Sequence, residues 1–286
     1  MQAIKRILVV IDPTMEDSVA LARSKLIAAF IGAELHLLVC ENRNDHTPML
    51  EDLCGALDAA GIKAEYTQAW HSNMTDTIIQ TLTAQGCGLV IKQHLPDNPL
   101  RKALLTPDDW KLLRYCPAPV LLVKSSASWM QGNVLAAVDL GSRSDQHYVL
   151  HDAIVSNAAE IAEMIHGELH MVTAHPAPML SAANPVYQLS ENIVKEYREK
   201  AARYRDLHSI SESNMHISEG PADTLIPKVA QEINACVTII GTVARTGISG
   251  ALIGNTAETV LDQLGGDILV LKPDDMVSHL ELLLEK

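Results

Sequence analysis

Aromatic side chains make up only 3% of this 286-residue chain, and Phe30 is its one phenylalanine. The core must therefore be filled by Ile, Leu, Val, Ala and Met, as is common where buried parallel strands are flanked by helices. Basic residues are also scarce, 22 against 35 acidic, for a formal net charge of −13. That balance argues against non-specific binding to nucleic acid, whose phosphates need a cationic face. No stretch approaches the about 20 apolar residues of a membrane span, and the opening residues lack the apolar core and cleavage pattern of a signal peptide. The expected location is the cytoplasm, with no membrane partner. The five cysteines are odd in number and widely spaced, which reads as reduced thiols rather than a disulfide framework or a metal site. Missing too are a Gly-x-Ser-x-Gly elbow, a Walker A loop and any evident Ser/His/Asp set, so the expectation is a protein that is not an enzyme.

What is present is a globular composition, 48% hydrophobic and 20% charged, at a length that suits two ordinary domains. The chain repeats itself. Ile7-Leu8-Val9-Val10-Ile11-Asp12 returns as Val134-Leu135-Ala136-Ala137-Val138-Asp139, an apolar run ending in aspartate. Glu34-Leu35-His36-Leu37 returns as Glu168-Leu169-His170-Met171, and Asp76-Thr77-Ile78-Ile79 as Asp223-Thr224-Leu225-Ile226. The order never changes, although the offset grows because the second copy carries insertions around Pro176 and Pro185. Each half reads as five strands alternating with helices. The predicted fold is α/β: two tandem five-stranded parallel-sheet domains with helices on both faces, Rossmann-like. The domains are expected at 1–127 and 131–275, packed against each other, with small polar residues between them and a tail at 276–286. In the first helix, Val19, Leu26, Ile27, Phe30 and Ile31 mark the predicted apolar stripe. The apolar end of the tail, residues 280–285, is either a frayed terminus or a segment packing across the halves or onto a second copy.

In parallel sheets of this kind, ligands bind outside the carboxyl ends of the strands, which directs attention to Asp12, Asp139 and the loops after the fourth strands. The loop of the second half is glycine-rich: Gly241-Thr242-Val243-Ala244-Arg245-Thr246-Gly247 leads through Gly250 to Gly254-Asn255-Thr256. Asn255 with Glu258 three residues later resembles a capping box, placing a helix entrance there. Backbone N–H groups at such an entrance attract anions, and Arg245 adds a positive charge to a half that carries 10 basic and 21 acidic residues. This segment resembles the ATP-binding signature of the universal stress protein family, and the whole chain is similar to the family's tandem two-domain members. The resemblance implies a stress-response factor with ATP and magnesium as the expected cofactor. It assigns Asp139 to the adenine side and Gly241, Gly254 and Asn255 to the phosphate side, with Thr242, Arg245, Gly247 and Thr256 in the same loop. Two positions depart from the family pattern. Ala244 replaces the second glycine, where a methyl group crowds a phosphate, and Asn255 replaces a hydroxyl residue. In the first half the signature is gone. Lys92, Gln93 and His94 lead into the loop, and Pro107, which has no N–H, falls opposite Asn255. The second half therefore retains a site for ATP or for another small ligand, whereas ATP is not expected in the first.

The alternatives are a slow ATP hydrolase or phosphoryl-transfer protein, and a scaffold without a ligand whose strand ends are filled by side chains. A higher oligomer is compatible with all three. Trp70-His71, with Lys92, Gln93 and His94, either lines a cavity for a different small ligand or packs as a loop against the neighbouring domain. His147 and His151, four residues apart, read as a solvated helix face, as do Tyr197, Arg198, Arg203, Tyr204 and Arg205. Asp108 and Asp109 read as the acidic first turn of a helix.

Overall fold

The computed structural model describes residues 1–15, 17–95, 105–141, 145–181, 183–242 and 255–284. They form two compact units, the first comprising residues 1–126 with the terminal segment from 275, the second most of 127–274.

The first unit alternates strand and helix: β1 (Arg6–Ile11), α1 (Val19–Ile31), β2 (Glu34–Cys40), α2 (Thr47–Ala59), β3 (Ala64–Ala69), α3 (Met74–Ala84), β4 (Leu89–Gln93), α4 (Pro107–Tyr115) and β5 (Val120–Val123). Its strands run parallel in the order β3-β2-β1-β4-β5. The second unit repeats the plan with β6 (Asn133–Ala137), α5 (Asp145–Ile165), β7 (Glu168–His175), α6 (Ser190–His208), β8 (Met215–Glu219), α7 (Ala222–Glu232), β9 (Ala235–Gly241), α8 (Asn255–Gln263) and β10 (Asp267–Leu271). Its parallel order is β8-β7-β6-β9-β10. The predicted α/β class is thus observed, with helices covering both sheet faces. In each unit the chain reverses direction across the sheet beside its first strand, between β1 and β4 or between β6 and β9. Side chains leaving those strands border the crevice in which such folds take ligands.

The helices start and stop where their end residues dictate. Ser18 caps α1 by accepting the Leu21 N–H at 3.2 Å, and Gly32 ends it in the left-handed conformation at φ 68°. Asn73 caps α3 through the Asp76 N–H at 3.0 Å. The apolar stripe predicted for α1 is displaced. The buried face is Ala20, Leu21, Ser24, Ile27 and Ala28, while Phe30 is exposed. Small residues let the helix approach the sheet closely, and the bulky Phe30 is left on the outer side.

Burial adds three findings to the sequence reading. Trp129, in the segment read as a linker, is buried, and its Nε1–H donates to Asp267 Oδ2 at 2.8 Å. The terminal segment is no frayed end: α9 (Asp274–Leu284) buries Met276 and Leu280. The helix α6, read as solvated, buries Tyr197 and Tyr204, leaving Arg203 to pair with Asp152 at 2.7 Å. No helix among the described residues is long and apolar enough to cross a membrane.

The second strand of each unit carries a buried histidine bonded to the third. His36 Nε2 lies 2.8 Å from Thr67 Oγ1, and His170 Nδ1 lies 3.1 Å from His216 Nε2 with the two rings stacked. Burial lowers the proton affinity of His36, His170 and His216, and the neighbouring imidazole lowers that of His170 further. Glu168 and Glu232 oppose this only in part. The unfolded chain therefore binds more protons than the folded one below about pH 6.5, so stability falls as pH drops from neutral. Calorimetric melting at neutral and mildly acidic pH should show this decline, and His216→Asn should shrink it.

Candidate functional site

Strand register brings the candidate residues to one edge of each sheet. In the second unit Ala137 pairs with Ile240, so Asp139 and Gly241 leave adjacent strands on the same side. Asp139 is exposed, and its Oδ1 accepts the Gly141 N–H at 3.0 Å. Asp12 makes the same turn in the first unit, its Oδ1 accepting the Thr14 N–H at 2.9 Å and hydroxyl at 2.7 Å. The duplicated aspartate thus does one local job twice. It tightens the turn with one oxygen, and the other oxygen has no bond to the described residues.

Gly241 and Thr242 have structural duties of their own. A methyl group on Gly241 would lie 2.7 Å from Leu150 Cδ2 and 3.0 Å from Ile154 Cδ1, so α5 leaves room only for glycine. Thr242 is fully buried, its N–H donating to the Leu271 carbonyl at 2.9 Å and its hydroxyl reaching the same oxygen at 3.4 Å. Asn255 and Thr256 open α8. Arg245, Gly247 and Gly254 lie outside the described residues.

Three side chains missed in the sequence gather around Asp139. His151 is buried rather than solvated, and its Nε2 accepts the Asp139 N–H at 3.3 Å; the His147 side chain lies outside those described. Tyr197 reaches in from α6, with its hydroxyl 2.5 Å from where a Cβ on Gly141 would stand. Burial first, and the Asp139 charge second, push its phenol up to about 12. Lys200, one helical turn on, donates to the Leu140 carbonyl at 2.9 Å and pairs with Glu196 at 2.8 Å. For Tyr197 and Lys200 the sequence signal was their spacing of three on one face of α6, and for His151 there was none.

In the first unit the strand ends enclose a cavity of about 460 Å³. Val10, Ile11 and Cys40 contribute its walls, and Asp12, Arg43 and Trp70 stand among its lining. Trp70 therefore borders a cavity, with 42% of its surface exposed. Burial pushes the Cys40 thiol up to about 12, so it is a neutral wall group. His94 does not line this space. It is buried, and its Nδ1 lies 2.7 Å from Asp109 Oδ2. Asp109 is more than an acidic first-turn residue: it is fully buried, pairs with Lys92 Nζ at 2.7 Å, and completes a capping box with Thr106. Burial alone would raise its carboxyl, but His94, Lys92 and Thr106 together hold it well below the usual carboxylate range. Among the described residues no group of three or more His, Cys, Asp or Glu side chains is placed to hold a metal ion.

Comparison with known proteins agrees with this architecture. The family model described as "Universal stress protein family" matches residues 130–272. The chain is 31% identical over 308 aligned positions to universal stress protein E of Escherichia coli K12, covering 97% of both chains. It is 32% identical to the universal stress protein E homolog of Haemophilus influenzae, covering 94% of this chain and 97% of that one. Among solved structures it is similar to a protein of unknown function from Pseudomonas aeruginosa PAO1, with TM-score 0.91, 51% identity, and coverage of 99% and 98%. A universal stress protein from Archaeoglobus fulgidus, at TM-score 0.67 and 18% identity over 93% and 98%, shares the fold. With the duplicated aspartate turn, a five-stranded parallel plan in each unit and relatives along nearly its full length, the chain belongs to the universal stress protein family.

Proposed function

We propose that this chain is a non-catalytic stress-response protein that acts in the cytoplasm by binding a small ligand, with domains at 1–127 and 131–275 and Mg-ATP as the ligand of the second. The observation that carries this reading is Asp139. It is an exposed carboxylate at the end of β6, beside the end of β9, with one oxygen engaged in its own turn and the other open. An acceptor of that kind fits the amino group of a purine. The phosphate side rests on the start of α8 at Asn255, where the first N–H groups of a helix have no partner within it, and on Arg245, Gly247 and Gly254, which precede it in sequence. Ligand binding without turnover is favoured because, apart from the Asp139 oxygen assigned to the purine, the polar groups near these strand ends are engaged in holding the fold. Thr242 is bonded to Leu271, His151 to the Asp139 N–H, and Lys200 to Leu140 and Glu196. A protein that only binds needs rigid walls, whereas a hydrolase needs a base free to take a proton.

Calorimetric titration of the whole chain with Mg-ATP should give one site per chain. Gly254→Val should abolish it by filling the space a phosphate needs, and Asp139→Ala should weaken it about tenfold, the value of one charged hydrogen bond. Pro107→Ala, in the first unit, should leave it unchanged. Absence of binding at millimolar ATP, or release of ADP at a rate abolished by Gly254→Val, would overturn the reading.

A further inference from the structure

The cavity of the first unit is walled differently from a nucleotide site. The groups that could receive phosphate at this end of the sheet are already engaged. Pro107, the first residue of α4, has no N–H, and the Asp109 N–H donates to Thr106 Oγ1 at 3.3 Å. The Lys92 ammonium is held by Asp109 and the Gln93 carbonyl. Asp108 adds a negative charge in the same turn. A triphosphate placed here would meet carboxylates instead of free donors.

What the cavity does offer is apolar wall with Arg43 and Asp12 in its lining, beside Glu41 and Lys92, which are already paired with His46 and Asp109. Val10, Ile11 and the neutral Cys40 thiol form apolar wall, and the half-exposed Trp70 presents an indole. Arg43 makes no ion pair with the described residues: of the two acids nearest in sequence, Glu41 is engaged by the Asn44 amide at 2.6 Å and by His46 at 2.8 Å, and Asp45 accepts the Thr47 N–H at 2.9 Å. Asp12 has one oxygen committed to Thr14 and one open. Register orders these groups: Ile11 pairs with Val39 and Cys40 with Ala69, so the β2 loop carrying Arg43 lies between Asp12 on one side and Trp70 on the other.

We propose that this cavity binds a small aromatic carboxylic acid, its ring against Trp70 and the apolar wall, its carboxylate on Arg43, and a ring hydroxyl or N–H on Asp12. A volume of about 460 Å³ lies within the range of about 300–1,000 Å³ usual for small-ligand sites. An aromatic ring adds stacking on the indole to the area it buries. A guanidinium offers a carboxylate two parallel bonds, which an amide of the same shape does not receive. The site is separate from the nucleotide reading of the second unit and does not depend on it.

The test is calorimetric titration of the whole chain with indole-3-carboxylate, 4-hydroxybenzoate and phenylacetate, each beside its neutral carboxamide. At least one acid should bind at one per chain and more tightly than its amide. Arg43→Gln should weaken the acid about tenfold and erase its advantage over the amide. Trp70→Ala should weaken acid and amide alike, and Asp12→Ala should affect 4-hydroxybenzoate more than phenylacetate. Unchanged melting of the three variants separates lost contacts from lost fold. Failure of all three acids to saturate at millimolar concentration would overturn the proposal. So would an acid preference that survives Arg43→Gln, or displacement of the acid by Mg-ATP in a Gly254→Val background.

Discussion

A parallel sheet delivers the carboxyl ends of all its strands to one edge, and most of what this chain can do follows from that constraint. Backbone pairing fixes which loops are neighbours before any loop residue is chosen. In the first unit β1 lies between β2 and β4, so whatever follows Ile11, Cys40 and Gln93 must share one space. The same arithmetic places the residues after Ala137 beside those after Gly241 in the second unit. Hydrophobic strand interiors hold the register: Ile7, Leu8, Val9, Leu37 and Leu38 are wholly excluded from water, and a slip of one residue would turn every side chain to the opposite face. Variation is thereby confined to the loops, where two copies of one fold can become unlike without loss of stability.

Asp109 shows how that divergence is stabilised. A carboxylate with no exposure carries a heavy desolvation cost and persists only if it is fully bonded. Lys92, His94 and Thr106 supply the bonds from the end of β4 and the start of α4. Closing this network uses Lys92, which also lines the cavity, and the Asp109 N–H at the entrance of α4. Removal of the carboxylate would strand a buried ammonium, at a cost of about 3–5 kcal/mol, so the network is difficult to evolve away once formed.

Much of the fold was legible in the sequence, because duplication displays the pattern twice. Two runs ending in Asp12 and Asp139, and two histidines at His36 and His170, fix element order without reference to propensity. What stayed hidden was burial decided by distant partners. Phe30 looks like core but faces outward, because Ala20, Ser24 and Ala28 offer a closer approach to the sheet. Tyr197 and His151 look like surface groups in charged helices, yet both are buried near Asp139, a contact set by how α5 and α6 cross the strand ends. Asp109 read as a helix-dipole residue because no local signal links it to Lys92, seventeen positions earlier. Periodicity reports which face a residue lies on, whereas pairing across elements depends on tertiary geometry.

The two aspartate turns allow the copies to be compared on equal terms. Asp12 and Asp139 use one oxygen identically and differ in what surrounds the other. Around Asp139, the long second copy folds α6 inward, so Tyr197, His175 and Lys200 pack beside the turn, with the Tyr197 ring 5.6 Å from His175 and 5.5 Å from the Lys200 ammonium. Around Asp12 the counterpart helix α2 contributes none of the described lining residues, and Trp70 and Arg43 border open volume instead. The second half carries a net charge of −11, which opposes the approach of any anion. The first half, near neutral at −2, needs only one unmatched guanidinium to favour a single carboxylate. Unequal charge and unequal walls on one inherited turn are what two sites of different chemistry require.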